Sequence, residues 1–344
     1  MKAVAKVKRE AGVEVIDSPP DKITDAEVLL RMKSASICGS DLGFYNFTPA
    51  YQTWAKIPVI MGHEFGGEIA EVGKDVVGYE VGDRVVCEPI QYCGSCRYCR
   101  MGITNICQNF TVLGMHRNGA FAEYLSIHPK FLHRVPDNVT FLEAAIVEPL
   151  SVVINGLDEI ADVHTGQKVA VVGPGPLGLF SAEVLRSKGI SDITVIGIGI
   201  DEYRLGVTRD KLGFRTVNWE KENAEEIIKS STDGYGCDIV VVTAGAPSAL
   251  QQSVPLVAKG GQILVLAIFP DAVLLPVSEL VRRQVSMLGS YASRWIHFEQ
   301  ALRLLREKRV RADAIVTHRF TLDKAKEAFE MSKAKTGCKV QFYT

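Results

Sequence analysis

Lys168-Val169-Ala170-Val171-Val172-Gly173-Pro174-Gly175-Pro176-Leu177-Gly178 is the stretch that decides the fold of the second half of this 344-residue chain. Lys168–Val172 is a compact apolar run of strand length. Gly173-x-Gly175-x-x-Gly178 follows at once, and a helical pattern continues to Lys188. A glycine pattern of this kind is informative only between a strand and a helix, which is where this one sits. Gly173 allows the tight turn, and Gly175 lets backbone approach a pyrophosphate. Gly178 lets the helix pack closely on the strand. Pro176 and Leu177 open a helix whose N-terminus attracts negative charge. An ordinary strand-to-helix turn is the plain alternative, and the alternation of strands and helices downstream weighs against it.

Ile193–Ile198, Asp238–Val242, Gln262–Ala267 and Val285–Leu288 read as buried strands, with helical stretches between several of them. Apolar strands alternating with helices predict a parallel sheet covered on both faces. Residues 153–290 are therefore expected to form a doubly wound, NAD(P)-binding domain. The second strand is expected to end near Gly199 on an acidic residue that would bond the ribose hydroxyls. No carboxylate stands there, and Asp201 and Glu202 belong to the next turn. Arg204 is either a cation for a 2′-phosphate or a surface helix residue. NAD and NADP both stay open, with the reading leaning to NADP.

The first 150 residues have a different texture. Val13–Ile16, Ala26–Lys33, Gly67–Val72, Asp83–Cys87 and Ala120–Ile127 read as strands of an irregular, mostly β domain. From Glu143 to Ile160 the apolar residues line a helix, with Pro149 marking its start or a kink. The tail predicts helices over Trp295–Lys308 and Leu322–Lys333 and a last strand over Lys339–Tyr343.

Composition agrees with a folded enzyme-sized chain. Hydrophobic residues make up 47% and charged residues 23%, a globular balance, and the length predicts about two domains. A net charge of −1 gives no field for a phosphate backbone, so nucleic acid is not expected as a partner. The best apolar run, Gln262 to Val277, is broken by Pro270 and Asp271, short of the ~18–20 residues a membrane span needs. Met1 to Ile16 lacks a signal-peptide core. A cytoplasmic protein is expected, and there close-spaced cysteines are metal ligands more often than disulfides.

Eight cysteines are present. Cys93-x2-Cys96-x2-Cys99-x7-Cys107 brings four thiolates within reach of one ion. Four sulfurs suit a closed, structural zinc site. An iron–sulfur cluster is the rival, but its usual spacing brings the fourth cysteine nearer, with proline after it; here Gln108 follows. Cys87, Cys237 and Cys338 read as small buried residues.

Two further segments carry single ligand types: Cys38-Gly39-Ser40-Asp41 and Gly62-His63-Glu64. Much later comes Glu148-Pro149-Leu150. Taken together, Gly62-His63-Glu64-x2-Gly67-x5-Gly73-x2-Val76 fits the zinc signature of the medium-chain alcohol dehydrogenases. Cys38, the four-cysteine lobe, Gly82-Asp83-Arg84-Val85 and the glycine turn follow in that family's order. The chain thus resembles the zinc-dependent medium-chain alcohol dehydrogenases over essentially its whole length. The sorbitol and galactitol 1-phosphate dehydrogenase branch is the most similar, because simple alcohol dehydrogenases have cysteine where this chain has Glu148.

The resemblance implies an α/β protein of two lobes. A GroES-like, mostly-β catalytic domain (residues 1–152 and 291–344) holds two zinc sites, a Rossmann domain is inserted at 153–290, and the active site lies in the cleft. It implies that Cys38, His63 and Glu64 ligate a catalytic zinc. Glu148 is then a fourth ligand or sits just behind a bound water, and Ser40 accepts the alcohol's proton as hydride leaves for the nicotinamide. Homodimers or homotetramers formed through the sheet edge at Val285–Leu288 are implied as well. The expected substrate is a polyol or sugar alcohol. Threonine, a simple secondary alcohol or a sugar phosphate on the same fold is the alternative, and a non-catalytic zinc-stapled binding protein is a more distant one. One position departs from the pattern. Many relatives, threonine dehydrogenases among them, carry a proton-relaying histidine five residues after the first zinc cysteine. Here that position is Gly43. Phe44, Tyr45, Phe47 and Trp54 follow and are either core or substrate cleft.

Overall fold

The computed structural model describes all 344 residues. The chain divides into two compact units: Met1–Ser151 with Ala292–Glu307 and Val316–Thr344, and Val152–Tyr291 with Lys308–Ile315. Residues 308–315 thus group with the second unit, whereas the sequence division put them in the first. Local bonds account for this. The backbone N–H of Arg311 donates to Glu183 at 2.9 Å, its guanidinium pairs with the same carboxylate at 3.1 Å, and Arg309 donates to the Ser187 carbonyl at 2.9 Å.

In the first unit, one sheet runs in the order Leu132–Arg134, Arg84–Cys87, Glu64–Val72, Val28–Ser36, Lys339–Tyr343, Val316–Thr321, and Tyr124–Ile127 also pairs with Val28–Ser36. The C-terminal strand is therefore central, bonded antiparallel to Val28–Ser36 with Gln341 opposite Ser36. Alternate residues of these strands (Leu30, Met32, Val85, Val340, Phe342) point into one core with Phe44, Phe121 and Phe329, the period-two pattern of a sheet with one buried face. Phe44 and Tyr45 are core residues. Tyr45 stacks on Phe329 and donates to Glu330 at 2.8 Å.

The second unit is a six-stranded parallel sheet in the order Arg215–Asn218, Asp192–Gly197, Lys168–Val172, Cys237–Val242, Val257–Val265, Ser286–Gly289. Numbered along the chain this is 3-2-1-4-5-6, the Rossmann order. Arg215–Asn218 is not among the expected strands, because Arg-Thr-Val-Asn carries one apolar residue and no alternation. The second strand stops at Gly197, and Gly199–Asp201 is already a 3-10 turn. The expected end near Gly199 is thus two residues too late. The helix foreseen over Glu143–Ile160 is really a short helix Phe141–Ala144 and a second one, Val147–Asn155, with a π-turn after it. Pro149 falls in the first turn of the second helix, where its missing N–H costs nothing.

Candidate functional site

Strand register builds the first site. Val28–Ser36 and Glu64–Val72 are antiparallel, with Ser36 opposite Glu64. Cys38, two residues past the end of one strand, therefore meets His63, one residue before the start of the other. Cys38 caps the helix Gly39–Tyr45, and its backbone N–H donates to Asp41 Oδ2 at 2.9 Å. Ligand atoms of Cys38, His63 and Glu64 all lie within 4.8 Å of one another. Glu148 lies outside that set, at the start of the helix Val147–Asn155. A hydrogen bond from Ser36 Oγ to the Ala145 carbonyl (2.9 Å) ties the turn before that helix to the strand end below Cys38.

The electrostatics are those of buried charge. Asp41 and Glu64 are fully buried and His63 nearly so. His63 Nδ1 lies 3.4 Å from Asp41 Oδ1 and its Nε2 lies 3.4 Å from Ser40 Oγ. Burial alone would lower the His63 pKa, but the charges of Asp41 and Cys38 outweigh it and raise the pKa well above the ordinary value. Burial raises Glu64 despite the opposing charge of Lys339. Lys339 is itself buried. Its ammonium ion-pairs with Glu64 and donates to the Ile37 carbonyl at 3.0 Å. Glu148 is pushed up to about 7, chiefly by burial.

No sequence signal marked Lys339, because it reads as the polar start of an alternating strand. Asp41 stands within the Cys38 segment, but no spacing gave it a role. Only the sheet pairing brings Lys339 to the site, and only the turn into the first helix aims Asp41 at His63. Gly43 has a structural explanation too: a Cβ there would lie 2.6 Å from the Tyr51 ring and 3.3 Å from its hydroxyl. Tyr51 fills the space that a side chain at 43 would occupy.

The donors fit a zinc ion. One thiolate, one imidazole and one carboxylate are zinc's usual ligand types. Apart from the Lys339 ion pair, neither Glu64 oxygen has a hydrogen-bond partner. Buried polar atoms without partners are costly, so such a cluster calls for a cation.

Cys93, Cys96, Cys99 and Cys107 also converge. Their sulfurs lie 3.5 Å (96 to 99), 3.6 Å (93 to 107) and 3.9 Å (96 to 107) apart. A tetrahedron with metal–sulfur bonds of about 2.3 Å has edges of about 3.8 Å, so the spacing matches one ion. Backbone N–H groups of Cys93, Cys96 and Asn109 donate to these sulfurs at 3.4 Å. Hydrogen bonds from Ser95 and Cys96 lower the Cys93 thiol to about 5, whereas burial and its sulfur neighbours push Cys99 up to about 12.

In the second unit, the glycine turn joins the strand Lys168–Val172 to the helix Pro176–Ser187. Gly173 has φ +106, and a Cβ on Gly178 would lie 1.9 Å from the Gly173 carbonyl oxygen, so neither position accepts another residue. Gly175 caps the helix. A Cβ there would meet one atom only, Arg204 Nη1 at 4.0 Å, which leaves open space where backbone can approach a pyrophosphate. Arg204 is buried, with Asp201 Oδ1 4.0 Å away.

Comparison with known proteins agrees with both halves. Residues 24–137 match the family described as alcohol dehydrogenase GroES-like domain, and residues 176–307 match zinc-binding dehydrogenase. The chain is 32% identical to a sorbitol dehydrogenase of Halalkalibacterium halodurans, over 99% of this chain and 98% of the relative. It is 30% identical to an L-threonine 3-dehydrogenase of Serratia proteamaculans, over 99% and 98%. Among solved structures it superposes on 2R,3R-butanediol dehydrogenase from Bacillus subtilis with a TM-score of 0.90 at 28% identity, covering 100% of this chain and 99% of that one. With the GroES-like sheet, the Rossmann order and near full-length matches in hand, the chain belongs to the zinc-dependent medium-chain alcohol dehydrogenases, enzymes that link alcohol oxidation to NAD(P).

Proposed function

We propose that the chain oxidises a secondary alcohol of a polyol or sugar alcohol at a zinc centre held by Cys38, His63 and Glu64. The observation that carries this reading is the convergence of those three ligands within 4.8 Å, with a second carboxylate, Glu148, at the start of the neighbouring helix. Zinc when bound supplies Lewis acidity that lowers the pKa of an alcohol. The chain's own residues do the rest. Asp41 fixes the imidazole through Nδ1 and leaves Nε2 for the metal. Lys339 balances the Glu64 charge. On this reading Ser40, whose Oγ lies 3.4 Å from His63 Nε2 and so beside the metal position, takes up the alcohol's proton. Burial raises Glu148 to about 7 in the metal-free site, and a bound cation would favour its carboxylate form.

A diol can offer two oxygens to a carboxylate-rich site, which favours polyols. Threonine is disfavoured by Gly43: the space for the relay histidine that threonine dehydrogenases usually carry is taken by Tyr51. Initial rates on sorbitol, xylitol, galactitol, 2,3-butanediol and threonine, each with NAD+ and NADP+, test the assignment. A polyol should lead in kcat/KM. Threonine leading by tenfold or more would overturn the reading.

The four-cysteine lobe holds a second, structural zinc on this reading, because a four-sulfur site leaves no open position. Homo-oligomers form through the exposed edge strand Ser286–Gly289, beside which Val277 and Val281 of the helix Val277–Arg282 are 62% and 70% exposed. Light scattering of the purified chain should give a dimer or tetramer mass.

A further inference from the structure

The strand end that lacks its own acid has one supplied from next door. Glu220 lies two residues past the strand Arg215–Asn218, which runs parallel to Asp192–Gly197 with Asn218 opposite Gly197. Its Oε2 accepts a hydrogen bond from the Gly199 backbone N–H at 2.9 Å. A Cβ built on Gly199 would lie 2.5 Å from that same oxygen. The Glu220 carboxylate therefore occupies the place a side chain at 199 would take. This is the carboxyl end of the sheet, level with the glycine turn: Val172 pairs with Ile196, and Gly173 donates to the Ile196 carbonyl at 2.8 Å. In a doubly wound sheet that end of the second strand is where the adenosine ribose is read.

We propose that Glu220, working with Gly199, is the ribose-recognising acid of this dehydrogenase and makes it select NAD over NADP. The proposal rests on the dinucleotide reading of the glycine turn and deepens it. Two features of the surroundings support it. The Gly199 N–H, a donor that a 2′-phosphate would otherwise use, is already engaged by a carboxylate. The nearby charges are also mostly negative. Glu222 accepts from the Asn218 N–H at 2.9 Å, Glu202 accepts from the Asn218 side chain at 3.2 Å, and Lys221 is already paired with Glu202 at 3.1 Å. Arg204 approaches Gly175, on the pyrophosphate side, and has Asp201 beside it. A dianionic 2′-phosphate would meet Glu220 head on, whereas a ribose diol can donate to the carboxylate's other oxygen. The sequence leaned to NADP because it shows no acid at 199. The acid comes from a strand that the sequence did not reveal.

Calorimetric titration of the purified, zinc-loaded chain with NADH and with NADPH at fixed ionic strength tests the proposal by binding alone. NADH should bind at least tenfold more tightly. Glu220→Gln should weaken NADH severalfold, leave NADPH unchanged or tighter, and so collapse the ratio. Moving the carboxylate back, with Gly199→Asp and Glu220→Ala in one chain, should restore the NADH preference. Gly199 has no positive φ, so Asp can take its backbone conformation. Equal or tighter binding of NADPH by the unaltered chain, or an unchanged ratio in Glu220→Gln, would overturn the assignment while leaving the dinucleotide site intact. Failure to bind either nucleotide would overturn both.

Discussion

Lys339 is the residue whose removal says most about the site. It is 1% exposed, its ammonium contacts the fully buried Glu64 carboxylate, and its one other bond goes to the Ile37 carbonyl. Lys339→Met keeps the stem volume and deletes the charge. At 4 Å and an effective dielectric of ~20, two unit charges attract by about 4 kcal/mol. Removing one partner of a buried pair costs about 3–5 kcal/mol, because the other charge is stranded. Spread over a unit of this size, that is a fall in Tm of roughly 10 °C. The loss depends on pH. Burial already raises the Glu64 pKa, and Lys339 opposes that rise. Without Lys339 the folded state holds a proton that the unfolded chain releases above its ordinary carboxylate pKa of ~4.3. Stability of the variant relative to wild type should therefore be near normal below about pH 4.5 and fall as pH rises towards 8. Thermal unfolding of the metal-free proteins between pH 4.5 and 8 reads this directly. Lys339→Arg should recover most of the loss. A Met variant as stable as wild type across the range would refute the buried-pair account.

Three other variants probe the glycine turn, the second carboxylate and the relay position. Gly178→Ala drives a methyl into the Gly173 carbonyl oxygen, 1.9 Å away, so NADH binding measured by fluorescence should fall at least tenfold while zinc content stays normal. Glu148 has a folded-state pKa of about 7, above its unfolded value. It therefore favours the metal-free fold at low pH and loses that contribution as pH rises through 7, and Glu148→Gln should remove this slope from the Tm–pH curve. Gly43→His must displace the Tyr51 ring, 2.6 Å from the new Cβ. Overpacking of this kind costs about 1–3 kcal/mol, and adding Tyr51→Ala to the same chain should recover part of it in the melting temperature.

Local pattern was enough for some parts of this molecule and not for others. The strand–glycine–helix unit at 168–188 reads correctly because its periodicity and its glycines are adjacent in sequence. The cysteine lobe stands out for the same reason: its four cysteines lie within fifteen residues, and their folded spacing is that of one tetrahedral set. Cys38, His63 and Glu64 were legible only through resemblance, since a lone cysteine or histidine carries no spacing. What escaped was set by strand pairing. Lys339 reaches Glu64 because the last strand lies beside Val28–Ser36, from the opposite end of the chain. Glu220 reaches Gly199 because a short polar strand, Arg215–Asn218, closes the sheet edge. No window of sequence records either neighbour.

Zinc stoichiometry, paired with turnover, tests the central claim most directly. Metal analysis of the purified chain should find two zinc ions per chain. His63→Ala should keep one, still bind NADH, and lose polyol oxidation by at least a thousandfold, whereas Cys96→Ser should lose the other ion. A chain that carries no zinc yet oxidises polyols at full rate, or a His63→Ala variant that retains both ions and its activity, would contradict the account.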